Sequence, residues 1–117
     1  MKKALSRITS QAGALCVLAA AASIAHAQPA VDVGAAEGLT KKSGCMKCHS
    51  VSSKKDGPAF KATAEKYKGK ADGEQKLYTH LTTNPKIKID GKEEMHESLK
   101  TKNDDEIKNV IRYILSR

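Results

Sequence analysis

The pentapeptide Cys45-Met46-Lys47-Cys48-His49 constrains this 117-residue chain more than any other segment. Two cysteines at this spacing, followed directly by a histidine, are typical of covalent haem attachment. Each thiol adds across one vinyl group of the porphyrin, and the adjacent imidazole can bind the iron. The segment therefore predicts that haem, iron and polypeptide are fixed to one another at residues 45–49.

Haem of this kind is attached outside the cytoplasm, and residues 1–27 have the pattern of a secretory leader. The leader has a basic start, an apolar run over 12–25 and a small-residue cleavage site at 25–27. The basic residues are Lys2, Lys3 and Arg7. The apolar run is too short to span a bilayer, so we expect cleavage, with a mature chain that begins at Gln28. Cys16 lies inside the run and would leave with the leader.

The mature chain, residues 28–117, is small and poor in core-forming side chains. Without the leader the formal net charge falls from +8 to +5, and only two cysteines remain. A disulfide between Cys45 and Cys48 would close a small ring of little stabilising value and would leave His49 without a role. The aromatic residues are Phe60, Tyr67, Tyr78 and Tyr113. A chain of this size usually needs a metal, a disulfide or a cofactor, and a haem would supply the missing core.

The first predicted helix runs from Asp32 to Gly44. Asp32 suits the N-cap position, and Gly44 suits the end of the helix just before the cysteines. Gly34 and Gly38 weaken a helix, so we expect another helix to approach closely there. The last helix is the best partner for this approach.

Two further helices are predicted in the middle of the chain. One begins near Pro58, which suits the first helical position, and runs to Lys68 before Gly69. The next begins at Asp72, whose side chain can cap it with Gln75 as its partner, and it closes at Asn84-Pro85.

The last helix has the clearest pattern. Asn103 is the predicted N-cap with Glu106 three residues later, which matches a capping pair. Apolar residues recur at helical spacing and form a core stripe. They are Ile107, Val110, Ile111, Ile114 and Leu115. Before this helix, residues 86–89 alternate strictly and precede Asp90-Gly91, but four residues are weak support for a strand, and the segment is interpreted as loop.

These residues resemble a class I cytochrome c of the small bacterial type. The resemblance rests on the motif at 45–49, on Gly57-Pro58-Ala59-Phe60 and on helices that carry Tyr67 and Tyr113. It implies an all-α fold over residues 28–117, with about four short helices and long loops wrapped around one covalently bound haem.

The resemblance also implies the roles of single residues. Cys45 and Cys48 would form thioether links to haem c, and His49 would be the proximal iron ligand. The backbone carbonyl of Pro58 would accept a hydrogen bond from the other ring nitrogen of His49. Met95, in the loop before the last helix, would be the distal ligand.

Other distal arrangements remain open from the residues themselves. His96 follows Met95 directly and is the alternative distal ligand, while His80 or an open site is a further alternative. His80 is interpreted as a residue of the helix surface. A thioether ligand raises the reduction potential relative to a second imidazole, so the choice affects function.

The function implied is that of an exported, periplasmic electron carrier that catalyses no reaction and has no small-molecule substrate. A haem protein with an open or labile distal site, for gas sensing or peroxidase chemistry, is the alternative, as is the cytochrome subunit of an oxidoreductase complex. A thiol-disulfide oxidoreductase would need a βαβ pattern around the cysteines, and a zinc site would need further ligands at a usual spacing.

Basic residues flank the attachment motif. They are Lys41, Lys42, Lys47, Lys54 and Lys55. One hypothesis is that they surround an exposed haem edge and steer redox partners that have acidic docking faces. The other is that they form a solvated surface without a specific partner. Nucleic acid is not an expected partner, and no transmembrane segment is expected in the mature chain.

Overall fold

The computed structural model describes residues 27–117. The predicted leader, apart from Ala27, and Cys16 within it lie outside the described residues. The described part forms four helices and one two-stranded sheet. The elements are α1 (Val33–Lys42), a 3₁₀ turn (Cys45–Lys47), α2 (Phe60–Tyr67), α3 (Gly73–Thr82), β1 (Lys86–Ile89), β2 (Lys92–Met95) and α4 (Asp104–Leu115). Within residues 27–117, none of the helices has the length and apolar character needed to traverse a bilayer.

Helix α4 is the centre of the core, and it packs against α1, α2 and α3. Its predicted cap is confirmed, because the Asn103 side chain accepts from the backbone N–H groups of Asp105 at 2.9 Å and Glu106 at 3.3 Å. The Glu106 carboxylate does not close the pair on Asn103 and accepts from the Thr101 hydroxyl instead. The buried residues of α4 are Ile107, Val110, Ile111, Tyr113 and Ile114. The apolar stripe therefore forms the core that its spacing predicts.

Helix α1 is tied to α4 at its N-cap and near its middle. The Asp32 side chain caps α1 by accepting from Ala35 N–H at 2.9 Å, as predicted. The Asn109 side chain of α4 accepts from the Asp32 N–H at 2.9 Å and donates to the Asp32 carbonyl at 2.8 Å. Further along, the Tyr113 hydroxyl donates to Glu37 at 3.2 Å. These contacts between distant parts of the sequence fix the crossing of the first and last helices.

The expected role of the α1 glycines is wrong. A Cβ at Gly38 would meet nothing within 4 Å, and a Cβ at Gly34 would meet only the Asp32 side chain, at 3.7 Å. The contact with the core comes from Ala36, which is completely buried, and from Thr40 on the same face. A small alanine at the right helical position, rather than a glycine, permits the approach.

One predicted helix start and one predicted capping bond differ from the structure. Helix α2 begins at Phe60, with Ala59 at the N-cap, so Pro58 precedes the helix and is not its first residue. Asp72 occupies the N-cap position of α3, but its side chain makes no capping hydrogen bond. Its carboxylate lies 2.6 Å from the Lys76 ammonium, and this ion pair on the helix surface replaces the cap.

The segment interpreted as loop is a β-hairpin. Strands β1 and β2 pair antiparallel, with Lys86 opposite Met95 and Ile89 opposite Lys92. Asp90 and Gly91 form the turn with φ values of 49° and 79°, and positive φ at both central residues suits the twist of a two-residue hairpin. The strict alternation of residues 86–89 therefore indicates a strand. The sequence of the partner strand Lys92–Met95 has no such alternation.

Candidate functional site

The attachment motif forms a tight turn that follows α1 directly. Gly44 has a φ of 77°, which glycine adopts without steric cost, and the 3₁₀ turn Cys45–Lys47 follows it. The N–H of His49 donates to the carbonyl of Cys45 at 2.9 Å, which closes the turn. Both thiols, Cys45 and Cys48, are free and half-buried. The turn therefore presents two thiols and one imidazole within five residues.

The His49 ring is held from three sides. Its Nδ1 lies 2.7 Å from the carbonyl oxygen of Pro58. A carbonyl oxygen only accepts, so Nδ1 carries the proton in this contact and Nε2 keeps its lone pair. The Phe60 ring stacks beside the imidazole with centroids 5.7 Å apart. A Cβ at Gly57 would lie 2.5 Å from Cε1 of His49, so only glycine leaves room for the ring.

The backbone between His49 and Phe60 maintains this arrangement. The N–H of Gly57 donates to the carbonyl of Cys48 at 2.8 Å, and the N–H of Phe60 donates to the carbonyl of Ser50 at 2.9 Å. These bonds close the loop against the attachment turn. Pro58 is thus placed where its carbonyl reaches the imidazole, which explains why it does not start α2.

A cavity of about 560 Å³ opens beside the attachment turn. Its lining includes both thiols, the His49 ring and apolar side chains from α2, α3, β1 and α4. The apolar residues include Phe60, Leu77, Leu81, Ile87, Ile89 and Val110. The hairpin, which was expected to be loop, thus supplies one apolar wall through its two isoleucines.

Both expected distal donors lie at the end of β2 and line the cavity. Met95 is the last residue of β2, and its side chain is 60% exposed. His96 is half-buried, and its ring centroid lies 6.0 Å from that of His49. Among the described residues, Nδ1 of His96 is a buried nitrogen without a hydrogen-bond partner.

His80 is not the surface residue that its helix position suggested. It is half-buried on α3, lines the cavity, and has its ring centroid 4.1 Å from that of His96. Its position three residues after the buried Leu77 could have indicated a place near the buried face, because residues three or four positions apart are neighbours on a helix.

Burial sets the protonation of the groups around the cavity. Together with smaller contributions from the nearby His80 and His49, and against the opposing effect of Glu97, burial lowers the pKa of His96 to about 4. Burial also lowers the pKa of His80. For the Cys45 thiol, burial raises the pKa. The His96 imidazole is therefore neutral at neutral pH, and a neutral imidazole has a lone pair for a metal.

The residues present fit a haem. Both thiols and His49 lie on the wall of one cavity, the remaining lining is largely apolar, and a buried imidazole nitrogen without a partner lies across from His49. Gly57 leaves free the space that the His49 ring needs. These features supply what a flat apolar macrocycle with a central metal requires, namely covalent anchors, an apolar surround and nitrogen donors.

The five lysines around the motif are exposed. They are Lys41, Lys42, Lys47, Lys54 and Lys55. Within residues 27–117 none of the five takes part in an ion pair, and the Lys55 ammonium donates to the Met46 carbonyl at 2.7 Å. Their charges are therefore not neutralised by neighbouring carboxylates.

Solved structures share this fold. Class 1 cytochrome MtoD from Sideroxydans lithotrophicus ES-1 is 49% identical, with a TM-score of 0.71, over 74% of this chain and 97% of that one. The Nitrosomonas europaea cytochrome c552 is 28% identical, with a TM-score of 0.54, over 68% of this chain and 96% of that one.

Curated relatives match over shorter stretches. Cytochrome c-552 of Hydrogenobacter thermophilus is 50% identical over 36 residues, and cytochrome c-551 of Allochromatium vinosum is 49% identical over 39 residues. These stretches cover 31% and 33% of this chain and span 37% and 42% of those relatives. The family model for cytochrome c matches residues 34–117. The chain therefore belongs to the cytochrome c family of electron-transfer haem proteins, and its cofactor is haem c.

Proposed function

We propose that the protein is an exported electron carrier with one covalently attached haem c and no catalytic activity of its own. Cys45 and Cys48 form the thioether links, and His49 is the proximal ligand. The observation that carries the proposal is the contact of 2.7 Å between Nδ1 of His49 and the Pro58 carbonyl, beside two free thiols on the same cavity wall. This arrangement places one imidazole nitrogen and two sulfurs where they can bind the same group.

When bound, haem c supplies a one-electron couple between Fe(III) and Fe(II). The chain supplies the surroundings of that couple. The Pro58 carbonyl accepts a hydrogen bond from the Nδ1–H group of His49, which fixes the imidazole tautomer and raises the basicity of Nε2. Phe60 and the isoleucines of β1 exclude water from the cavity, and a dry site of fixed geometry changes little when one electron is added or removed.

A donor from the chain on the distal side favours a carrier over a sensor or a peroxidase. Met95 and His96 both line the cavity at the end of β2, so the chain offers two candidate donors for the sixth position. A protein ligand at that position leaves no coordination site for a gas or a peroxide. Electron transfer needs no such site.

Export and docking complete the proposal. The leader pattern over residues 1–27 directs the chain to the periplasm, where haem attachment takes place. The exposed lysines near the motif, free of ion pairs in the described part of the chain, would attract partners with acidic docking faces.

A test of attachment compares the wild type with the double variant Cys45→Ala/Cys48→Ala, both produced with the leader in cells that mature c-type cytochromes. We expect the wild-type periplasmic protein to keep its colour after acid-acetone extraction and to give a low-spin visible spectrum in both redox states. The double variant should lose the haem on extraction. A colourless wild type with two unmodified thiols would refute the proposal, and a high-spin ferric spectrum would favour a sensor or a peroxidase.

A separate test addresses docking. The double variant Lys47→Gln/Lys54→Gln and the control Lys100→Gln/Lys102→Gln lose the same charge at different places in the chain. We expect the first pair alone to slow oxidation by an anionic reagent such as ferricyanide, with a weaker dependence on ionic strength than the wild type. If both double variants were oxidised at equal rates, the lysines near the motif would form a solvated surface without a specific partner.

A further inference from the structure

We infer that His96, rather than Met95, is the distal ligand, so that two imidazoles of this chain hold the haem iron. The inference rests on the proposed electron-carrier function and specifies the distal side of its site. It departs from the methionine that the family resemblance implies.

The register of the hairpin separates the two candidates. Residues opposite each other in an antiparallel pair share a face, and successive residues alternate between faces. Ile87 lies opposite Glu94, and Lys86 lies opposite Met95. The two isoleucines of β1 are half-buried whereas its two lysines are exposed, so the face that carries Lys86 and Met95 is the more exposed of the two. The Met95 side chain is accordingly 60% exposed, although the residue also contributes to the cavity lining.

The backbone of His96 is anchored where the hairpin meets the preceding segment. Its N–H donates to the carbonyl of Pro85 at 2.9 Å, and its carbonyl accepts from the Asn84 side chain at 3.0 Å. Both partners lie between α3 and β1. Two hydrogen bonds at the backbone of one residue fix the direction of its Cα–Cβ bond, so His96 does not lie on a freely moving loop.

The separation of the two imidazoles matches joint ligation of one metal ion. A metal–nitrogen bond of about 2 Å, with the ring centre about 1 Å beyond the nitrogen, places two opposed imidazole centres about 6 Å apart. The centroids of His49 and His96 are 6.0 Å apart, with the ring planes at 62°.

The ring of His96 also has an unused buried nitrogen. Its Nδ1 is buried and has no hydrogen-bond partner among residues 27–117. A buried polar atom without a partner is unfavourable, and a bond from this nitrogen to the cofactor would remove the deficit. No equivalent deficit exists for a thioether exposed to solvent, because sulfur is only a weak acceptor.

Two consequences distinguish this arrangement from histidine–methionine ligation. The ferric protein lacks the charge-transfer band from methionine sulfur in the red part of the spectrum. The reduction potential is also lower than it would be with a thioether ligand.

The test uses the purified holoprotein and four single variants, Met95→Leu, His96→Ala, His96→Met and His80→Asn. We expect a low-spin wild type without the red band, and the same spectrum and potential for Met95→Leu. His96→Ala should become high-spin and return to low spin when imidazole is added. His96→Met should gain the band and shift the potential upward. His80→Asn, the matched loss of a cavity histidine, should remain low-spin.

A red band in the wild type that disappears in Met95→Leu would overturn the inference and leave the electron-carrier proposal intact. Retention of low spin by His96→Ala would overturn it in the same way. A wild type without covalent haem would refute the proposed function itself. If His96→Ala fails to fold, the wild-type and Met95→Leu spectra decide between the two ligands.

Discussion

The two walls of the haem cavity are built in different ways. On the proximal wall, His49 is held by residues close to it in sequence, because the Pro58 carbonyl, the Gly57 backbone and the Phe60 ring all lie within the next eleven positions. On the distal wall, His80 from α3 and His96 from the end of β2 meet across a longer segment of chain. A short motif therefore specifies the first wall, whereas the second depends on how separate elements pack.

The two walls also differ in what fixes them. The proximal imidazole is bonded to a backbone carbonyl at 2.7 Å and lies against a space that only a glycine leaves open. The distal segment is held at the backbone of His96, whose N–H donates to the Pro85 carbonyl at 2.9 Å and whose carbonyl accepts from the Asn84 side-chain amide at 3.0 Å. Asn84 itself has a φ of 47°, in the left-handed region. We expect the distal wall to be the more easily altered of the two.

The largest expected difference between the walls comes from their apolar side chains. Phe60 is 4% exposed and contacts His49 and Tyr113, so Phe60→Ala should cost about 3–5 kcal/mol of unfolding free energy. Ile87→Ala removes a half-buried side chain of the distal wall and should cost about 1–2 kcal/mol. Denaturant unfolding of the holoproteins measures both. Equal losses would contradict a more firmly packed proximal wall.

The glycine beside the proximal imidazole gives the next largest effect. In Gly57→Ala the new Cβ would lie 2.5 Å from Cε1 of His49, so the ring must move, at about 1–3 kcal/mol. Gly38→Ala is the matched control, since its Cβ meets nothing within 4 Å. In the middle of α1 that change should stabilise by about 0.5–1 kcal/mol. Denaturant unfolding should therefore show changes in unfolding free energy of opposite sign for the two variants. A Gly57→Ala variant as stable as the wild type would contradict the steric explanation.

A smaller effect is expected at the anchor of the distal wall. Asn84→Ala loses the hydrogen bond to His96 and keeps a positive φ that alanine disfavours, so it should cost about 1–2 kcal/mol. Asn84→Gly loses only the hydrogen bond and should cost less. Both variants should bind added imidazole more readily than the wild type, as a spectral titration would show. Unchanged affinity in both would mean that Asn84 does not hold the distal wall.

The smallest effect is a pH dependence of stability. Burial lowers the pKa of His96 in the folded protein from 6.5 to about 4, and a bond from the ring to iron would favour the same neutral form, so between these pH values the unfolded chain binds more protons than the folded one. This contribution to stability is complete above about pH 7 and declines as the pH falls from 6.5 towards 4. The ring is only half-buried, which keeps the effect small.

Denaturant unfolding between pH 4 and pH 8 would measure this pH dependence of stability. His96→Gln should flatten the slope relative to the wild type, while Met95→Leu should keep it. Carboxylates titrate in all three proteins, so the difference between the proteins isolates the histidine. Identical slopes in His96→Gln and the wild type would contradict the lowered pKa.

Much of the helical structure was predictable from local patterns. Asp32 and Asn103 cap α1 and α4 as expected, because an oxygen side chain at the N-cap satisfies backbone donors that no other part of the chain reaches. The stripe on α4 is buried, because a helix with one apolar face must cover it. The start of α2 was wrong, because the Pro58 carbonyl faces His49 instead of beginning a helix.

The hairpin could not be predicted with the same success. β1 has an alternating pattern and a suitable turn, but β2 is Lys-Glu-Glu-Met, exposed throughout, and carries no apolar period. A strand of this kind is stabilised by its partner and not by its own sequence. The register of the hairpin decides which of Met95 and His96 lies on the face nearer the cavity. A wrong prediction for these strands therefore affects the prediction of the distal ligand.

The sequence alone determined the cofactor and the family, and it predicts where the cofactor is attached, because thioether attachment and proximal ligation need residue types at fixed spacing and residues 45–49 contain all of them. Only the tertiary structure brought His80 against His96 and placed the Ile87 face of the hairpin over the cavity. The physical reason is that these contacts depend on strand register and helix packing between distant segments, which no single stretch of residues encodes.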